Sequence, residues 1–262
     1  MIEFMPFQGF TDRECGFLNK TFLAHSFLVG NFLTLPLCKQ CKLTIVGEKL
    51  GTQPIHSKIL NQAAKEHLKP LGLIQKGQSR VWLDDHDWWV TQVEFQPSGW
   101  SKGSYLNVGA CWLWDGKEYL SFDVGHRVAG FVEFQNEEQF INKAQDLAQT
   151  AVNEVLKYRR QFLTVDMVYQ YYLKNGIPKN IWSYYHFAIA AGLIGKSKES
   201  LQFFQEIQNE KLTYDWIKSL QTGVKSLMEL VKEIDKFRQR IESEVFNARA
   251  LNKLKEVSKI NW

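Results

Sequence analysis

Between Trp88 and Trp114 the chain reads WWVTQVEFQPSGWSKGSYLNVGACWLW. Two alternating runs flank a Pro-Ser-Gly-Trp-Ser-Lys-Gly break, the pattern of a β-hairpin. Side chains on a strand point alternately to its two faces. Trp89, Thr91, Val93 and Phe95 therefore share one face of the first run, with Leu106, Val108, Ala110, Trp112 and Trp114 beside them on the second. Trp88, Val90, Gln92, Glu94 and Gln96 oppose them, with Tyr105, Asn107, Gly109, Cys111 and Leu113. One face is apolar and the other mixed, as in an antiparallel sheet packed on one side only.

The flanking segments extend the hairpin. Gly72 to Gln78 and Arg80 to Asp84 read as two shorter strands, and Asp84-Asp85-His86-Asp87 as the polar turn into Trp88. Asp115-Gly116 is a further turn signal, and Glu118 to Val124 reads as a returning strand. Val128 to Phe134 reads as a last short strand or an irregular crossover. The sum is a meander of about five strands, an ordinary sheet size.

Helical patterns surround this sheet. Ile59, Leu60, Ala63 and Leu68 form one stripe between Ile55 and Lys69, stopped by Pro70 and Gly72. Asn136 is a candidate N-cap with Gln139 as its capping-box partner, and Phe140, Ala144, Leu147, Ala151 and Val155 continue a helix to about Tyr158. Further helices are predicted from Thr164 to Leu173, Ile181 to Ile194 and Ser197 to Gln208. The last two share small residues with a tetratricopeptide unit, but a solenoid needs several copies, so a plain helical hairpin is the simpler reading. From Thr213 to about Val257, Leu220, Val224, Leu227, Val231, Ile234, Ile241, Val245 and Ala248 recur by threes and fours. That predicts one long helix, either a coiled-coil strand or an amphipathic helix lying on its own chain. The fold class is α+β: an antiparallel meander packed by helices, then an α-helical C-terminal region. The divisions are an irregular segment over 1–54, a sheet domain over 55–160 and a helical region over 161–262.

Composition narrows the functional classes. A net charge of +4 from 32 basic and 28 acidic residues does not call for nucleic acid or a membrane surface, although a local basic patch is compatible with it. Cys15, Cys38, Cys41 and Cys111 are too few and too unevenly placed for a disulfide framework, which makes a reducing cytoplasm the default compartment. Phe27 to Leu37 is too short to span a bilayer, and Asp12 and Glu14 stand where a signal peptide is basic. Residues 1–54 show no sustained period, and a start site upstream of the native one is an alternative account of them. Cys38-Lys39-Gln40-Cys41 is a CxxC without a second ligand pair, although His25 and His56 are available; zinc needs four ligands, so no metal or cofactor is assigned.

The segment from Ile55 to about Leu173 resembles the bacterial domain of unknown function 4304 (DUF4304). The resemblance is carried by Leu68-Lys69-Pro70-Leu71-Gly72-Leu73, Ile74-Gln75-Lys76-Gly77, Arg80-Val81-Trp82-Leu83, Val93-Glu94-Phe95-Gln96, Tyr105-Leu106-Asn107-Val108-Gly109, and His126-Arg127 followed by a helix. It departs where that domain has Phe and basic residues after the first glycine; here Leu73-Ile74-Gln75 stand instead. The resemblance implies an α+β domain with an antiparallel sheet and carries no catalytic residues.

The mixed face of the hairpin is the first candidate surface. Gln92, Glu94 and Gln96 should meet Tyr105 and Asn107, with Arg80, Trp82 and Arg127 joining from neighbouring strands. Carboxylate, amides and guanidinium beside aromatics suit a polar ligand or peptide; the plainer account is a solvated sheet face with cross-strand pairs. Asp84-Asp85-His86-Asp87 contains metal-ligand types, but adjacent turn residues diverge, and His126-Arg127 alone is weak support for an anion site. Tyr158-Arg159-Arg160 and Arg249, Lys253 and Lys255 are the basic groups open to a nucleic acid. No nucleotide-binding loop, nucleophile elbow or zinc-protease signature occurs, and Cys111 and Ser104 lack an evident His and acid partner. The leading expectation is a non-catalytic interaction module that binds a protein partner or a second copy through its C-terminal helix; a bacterial immunity or defence accessory role fits that description. The alternatives are a nucleic-acid-binding module and an enzyme working from Glu94, Gln96, Asn107 and Arg127.

Overall fold

The structure, a computed structural model, describes residues 53–211 and 213–262. Most of the irregular segment, with Cys15, Cys38, Cys41 and His25, lies outside the described residues. The sheet has five antiparallel strands in sequential order: β1 (Ile74–Gln75), β2 (Val81–Asp85), β3 (Trp89–Gln96), β4 (Gly103–Trp112) and β5 (Val124–Glu133). The hairpin pairs as its alternation predicts. Trp89 faces Trp112, Thr91 faces Ala110, Val93 faces Val108 and Phe95 faces Leu106, all on the buried side.

The fifth strand departs from expectation. Glu118 to Val124 is not a strand; the return strand is the longer β5. The intervening residues 116–123 form a strap laid across the mixed face. Its Asp123 carboxylate accepts from the Trp112 N–H at 2.8 Å, its Ser121 carbonyl accepts from Gln92 Nε2 at 2.6 Å, and its Phe122 ring rests on Gly109 and Gly125. A Cβ on Gly109 would stand 2.4 Å from that ring. β5 also slips twice against β4, between Ser104 and Leu106 and between Leu106 and Asn107. Such bulges are common on strands at a sheet edge.

Helix α1 (Ile55–Leu68) and helix α2 (Glu137–Gln161) roof the apolar face. The Asn136 side chain accepts from the Gln139 N–H at 2.9 Å, the predicted cap. Helix α3 (Val165–Asn175) opens on Thr164 in the same way. Helices α4 (Ile181–Leu193) and α5 (Ser197–Gln208) form the expected hairpin. α4 is buried on nearly every face, because α3, α5 and the C-terminal helix pack around it and Trp114 meets its His186. Trp88, Trp112 and Trp114 stack with ring centroids 5.3–5.8 Å apart. Trp88 thus turns into the core, although alternation places it on the mixed face. Trp112 Nε1 donates to the Tyr172 hydroxyl of α3 at 3.4 Å, and the Tyr185 hydroxyl of α4 donates to the Trp114 carbonyl at 3.4 Å. Sheet and C-terminal helices therefore share one hydrophobic core.

The long helix predicted from Thr213 is two helices, α6 (Asp215–Leu230) and α7 (Ile234–Leu251), parted at residues 231–233. The break lets α7 fold over the end of α4. Phe237 and Val231 approach Gly192 where a Cβ would be 2.6 Å from the Phe237 ring, and the Ser197 hydroxyl donates to the freed Val231 carbonyl at 2.8 Å. Val224, Leu227, Val231, Ile241, Val245 and Ala248 of the apolar stripe are buried against the chain itself. No helix among the described residues is long and apolar enough to cross a membrane.

Candidate functional site

Strand register decides which predicted surface residues meet. Glu94 pairs with Asn107, Asn107 with Arg127, and Gln96 with Tyr105, so these five share the mixed face. Asn107 Nδ2 donates to Glu94 Oε2 at 2.9 Å and to Gln96 Oε1 at 3.0 Å. Arg127 Nε donates to Asn107 Oδ1 at 3.3 Å, and its Nη2 donates to Gln96 Oε1 at 2.8 Å. Its guanidinium carbon lies 4.0 Å from the centre of the Tyr105 ring, and Tyr105 in turn contacts Phe131 at 5.1 Å. Arg127 is exposed, yet its charged group is held by two amide oxygens and an aromatic face.

Three of the eight predicted residues are placed otherwise. Arg80 and Trp82 flank Val81, which pairs with Glu94, so both project to the opposite face. Trp82 is buried in the core, and Arg80 donates to the Ser57 hydroxyl of α1 and to the Gly103 carbonyl. Gln92 lies on the mixed face but beneath the strap, 5% exposed. His126 pairs with Val108 and so points away from Arg127. Clefts lie elsewhere: one of about 420 Å³ between α1 and α2 includes Ile59, Glu66, Ile141 and Gln145, and another of about 530 Å³ lies beside α7.

A second constellation escaped sequence reasoning. Asp115, Asp123 and His186 converge at the root of the strap, with donor atoms within 4.8 Å of one another. Lys117 Nζ reaches Asp115 Oδ2 at 2.5 Å and Asp123 Oδ1 at 4.0 Å, and sits 3.9 Å from the centre of the Trp182 ring. The Ser121 hydroxyl donates to Asp123 Oδ1 at 2.8 Å. Burial alone would raise the Asp123 carboxyl; the Nε2–H side of His186, the Lys117 ammonium and the Trp112 N–H outweigh it and hold the group below the usual carboxylate range. Asp115 has less compensation, and burial pushes its carboxyl up despite Lys117 and His186. The partners come from β4, the strap and α4, and no local spacing links His186 to either aspartate.

Carboxylates and an imidazole at this spacing are metal-ligand types, but the proton positions oppose a metal. Trp114 Nε1, a donor only, gives its hydrogen to His186 Nδ1 at 3.0 Å. The neutral ring then carries its proton on Nε2, which faces Asp123 Oδ1 at 3.3 Å, off the axis of a good hydrogen bond. A metal at Nε2 would need that proton on Nδ1, against the indole N–H. The Lys117 ammonium already supplies the cation. Nδ1, the nitrogen with the free lone pair, is taken by the indole N–H, so His186 is also poorly placed as a general base. The cluster ties strap, strand and helix together.

The other predicted constellations are internal. Asp84 takes both prongs of Arg159, at 2.8 and 2.7 Å, and contacts His86 at 2.7 Å. Asp85 pairs with Arg249. The acidic turn is therefore an anchor for α2 and α7. Arg159, Arg249 and the buried Tyr158 are withdrawn from any basic surface. Comparison with family models, with curated proteins and with solved structures returned no match to this chain.

Proposed function

We propose that the chain is a non-catalytic protein-interaction module that works in the cytoplasm, and that its contact surface is the open part of the mixed sheet face. One observation carries this reading: Arg127 is fixed in place on an exposed face before any partner arrives. Arginine and aromatic side chains dominate binding energy at protein contacts, and a group already held in its bound geometry loses less entropy on association. The strap covers the Gln92–Gly109–Gly125 row and leaves the Glu94–Asn107–Arg127 row and the Tyr105 end open. The sheet is favoured over the C-terminal helix as the contact, because the helical stripe is spent on the chain's own core. An enzyme is disfavoured because Glu94, Asn107 and Arg127 stand on an open face rather than in a water-excluding pocket.

A nucleic-acid module is the second reading, favoured by the stack of Arg127 on Tyr105 with Phe131 beside it. Affinity capture with the native chain and with Arg127→Ala/Tyr105→Ala separates the two. A polypeptide retained by the first and lost by the second supports the interaction module. Nucleic acid in the eluate, released steeply by salt, supports the second reading. Identical captured sets, from variants that melt like the parent, overturn both.

A further inference from the structure

We infer that the open rows of this face receive an extended acidic segment of a partner protein, with a partner carboxylate seated on Arg127; this rests on the interaction-module reading above. Among the described residues Arg127 forms no ion pair. Its neighbours are neutral: the Gln96 and Asn107 amide oxygens orient the guanidinium, and Tyr105 covers one side. With no direct ion pair, the exposed guanidinium keeps its positive charge and the N–H groups not used by Gln96 and Asn107. Planar carboxylates match such groups with paired hydrogen bonds.

The charge pattern narrows the class of partner. Glu94 lies two strands away from Arg127 in the same cross-strand row, with backbones roughly 10 Å apart at ordinary strand spacing, and the Asn107 and Gln96 amides bridge the two charged groups. A polyphosphate chain crossing the row would meet the Glu94 carboxylate, whereas a polypeptide can place one acid over Arg127 and a neutral or basic group over Glu94. The strap shows how a polypeptide lies on this face. It seats an aromatic ring (Phe122) on strand glycines, and offers a backbone carbonyl to the Gln92 side-chain amide and a carboxylate (Asp123) to the Trp112 N–H. The partner segment continues that layer beside the strap, with Tyr105, Phe131 and the outer edge of Phe122 as its apolar contacts.

A display library of random short peptides, panned on the full chain, tests this. The native chain should enrich peptides with an acidic residue near an aromatic one. Synthesised winners should bind Arg127→Gln about tenfold more weakly, and Arg127→Glu should invert the preference from acidic to basic. Winners with no acidic enrichment, binding equal for Arg127→Gln, or no winners at all would overturn the inference. Winners that lack acids yet lose binding to Tyr105→Ala would leave the interaction module standing, and winners indifferent to every variant of this face would remove both.

Discussion

Arg249 and Asp85 meet through both prongs, Nη1 to Oδ1 at 2.7 Å and Nη2 to Oδ2 at 2.8 Å, and the arginine is 3% exposed. The same guanidinium donates to the Asp87 carbonyl and to the Lys255 carbonyl. One side chain of α7 therefore fastens the β2–β3 turn and the C-terminal tail at once. Arg249→Met should cost about 3 kcal/mol, the lower range for stripping a partner from a buried pair, since Asp85 keeps some solvent. Chemical denaturation measures the cost, and hydrogen exchange should show early loss of protection around Ile260, whose N–H is held by Glu242. Arg249→Lys should recover little, because an ammonium cannot span both oxygens.

The Trp114–His186 hydrogen bond fixes the imidazole tautomer. Nitrogen-15 spectra of the neutral ring should show the proton on Nε2. Trp114→Phe removes the donor while keeping most of the ring packing, and should cost about 1–3 kcal/mol through the orphaned Nδ1 and lost contacts. An Nδ1–H tautomer in the native chain would refute the arrangement.

Asp115 and Asp123 should answer pH in opposite ways. Asp123 is held below its ordinary 3.8 in the fold, so its stabilisation is present above about pH 4 and is lost as pH falls further. Asp115 is raised, so the fold binds its proton more tightly than the unfolded chain does and the ionised group is a liability at neutral pH. Melting temperature against pH should therefore show a steep acid limb that Asp123→Asn flattens. At pH 7, Asp115→Asn should cost clearly less than Asp123→Asn.

Gly109→Ala tests the strap. The added methyl would meet the Phe122 ring and, at 2.8 Å, the Val124 carbonyl, which belongs to backbone and cannot swing aside. Overpacking of this kind should cost about 1–3 kcal/mol. Limited trypsin digestion should cut at Lys117 sooner than in the parent, because Asn252 and Asp115 hold that residue only while the strap is seated.

Elements with a local signature were legible. The hairpin register, the α1 stripe and the Asn136 and Thr164 caps follow from spacing within a few residues, and Glu94, Gln96, Asn107 and Arg127 met because one register fixes a whole face. Arg80 and Trp82 were misplaced by parity: β2 pairs so that Val81, not its neighbours, shares Glu94's side. The α6–α7 break has no proline or glycine at residues 231–233 to announce it. What accompanies it is tertiary, the close approach of Phe237 to Gly192. The strap was hidden because Tyr119, Ser121 and Asp123 alternate like a strand, and the partners that hold it, Gln92 and His186, come from distant parts of the chain.

The double slip of β5 also governs how this molecule can associate. A strand arriving at the outer edge would find amide and carbonyl groups out of step with its own, once on each side of Leu106's partner. Ladder extension, the route to fibres and to swapped strands, stalls there.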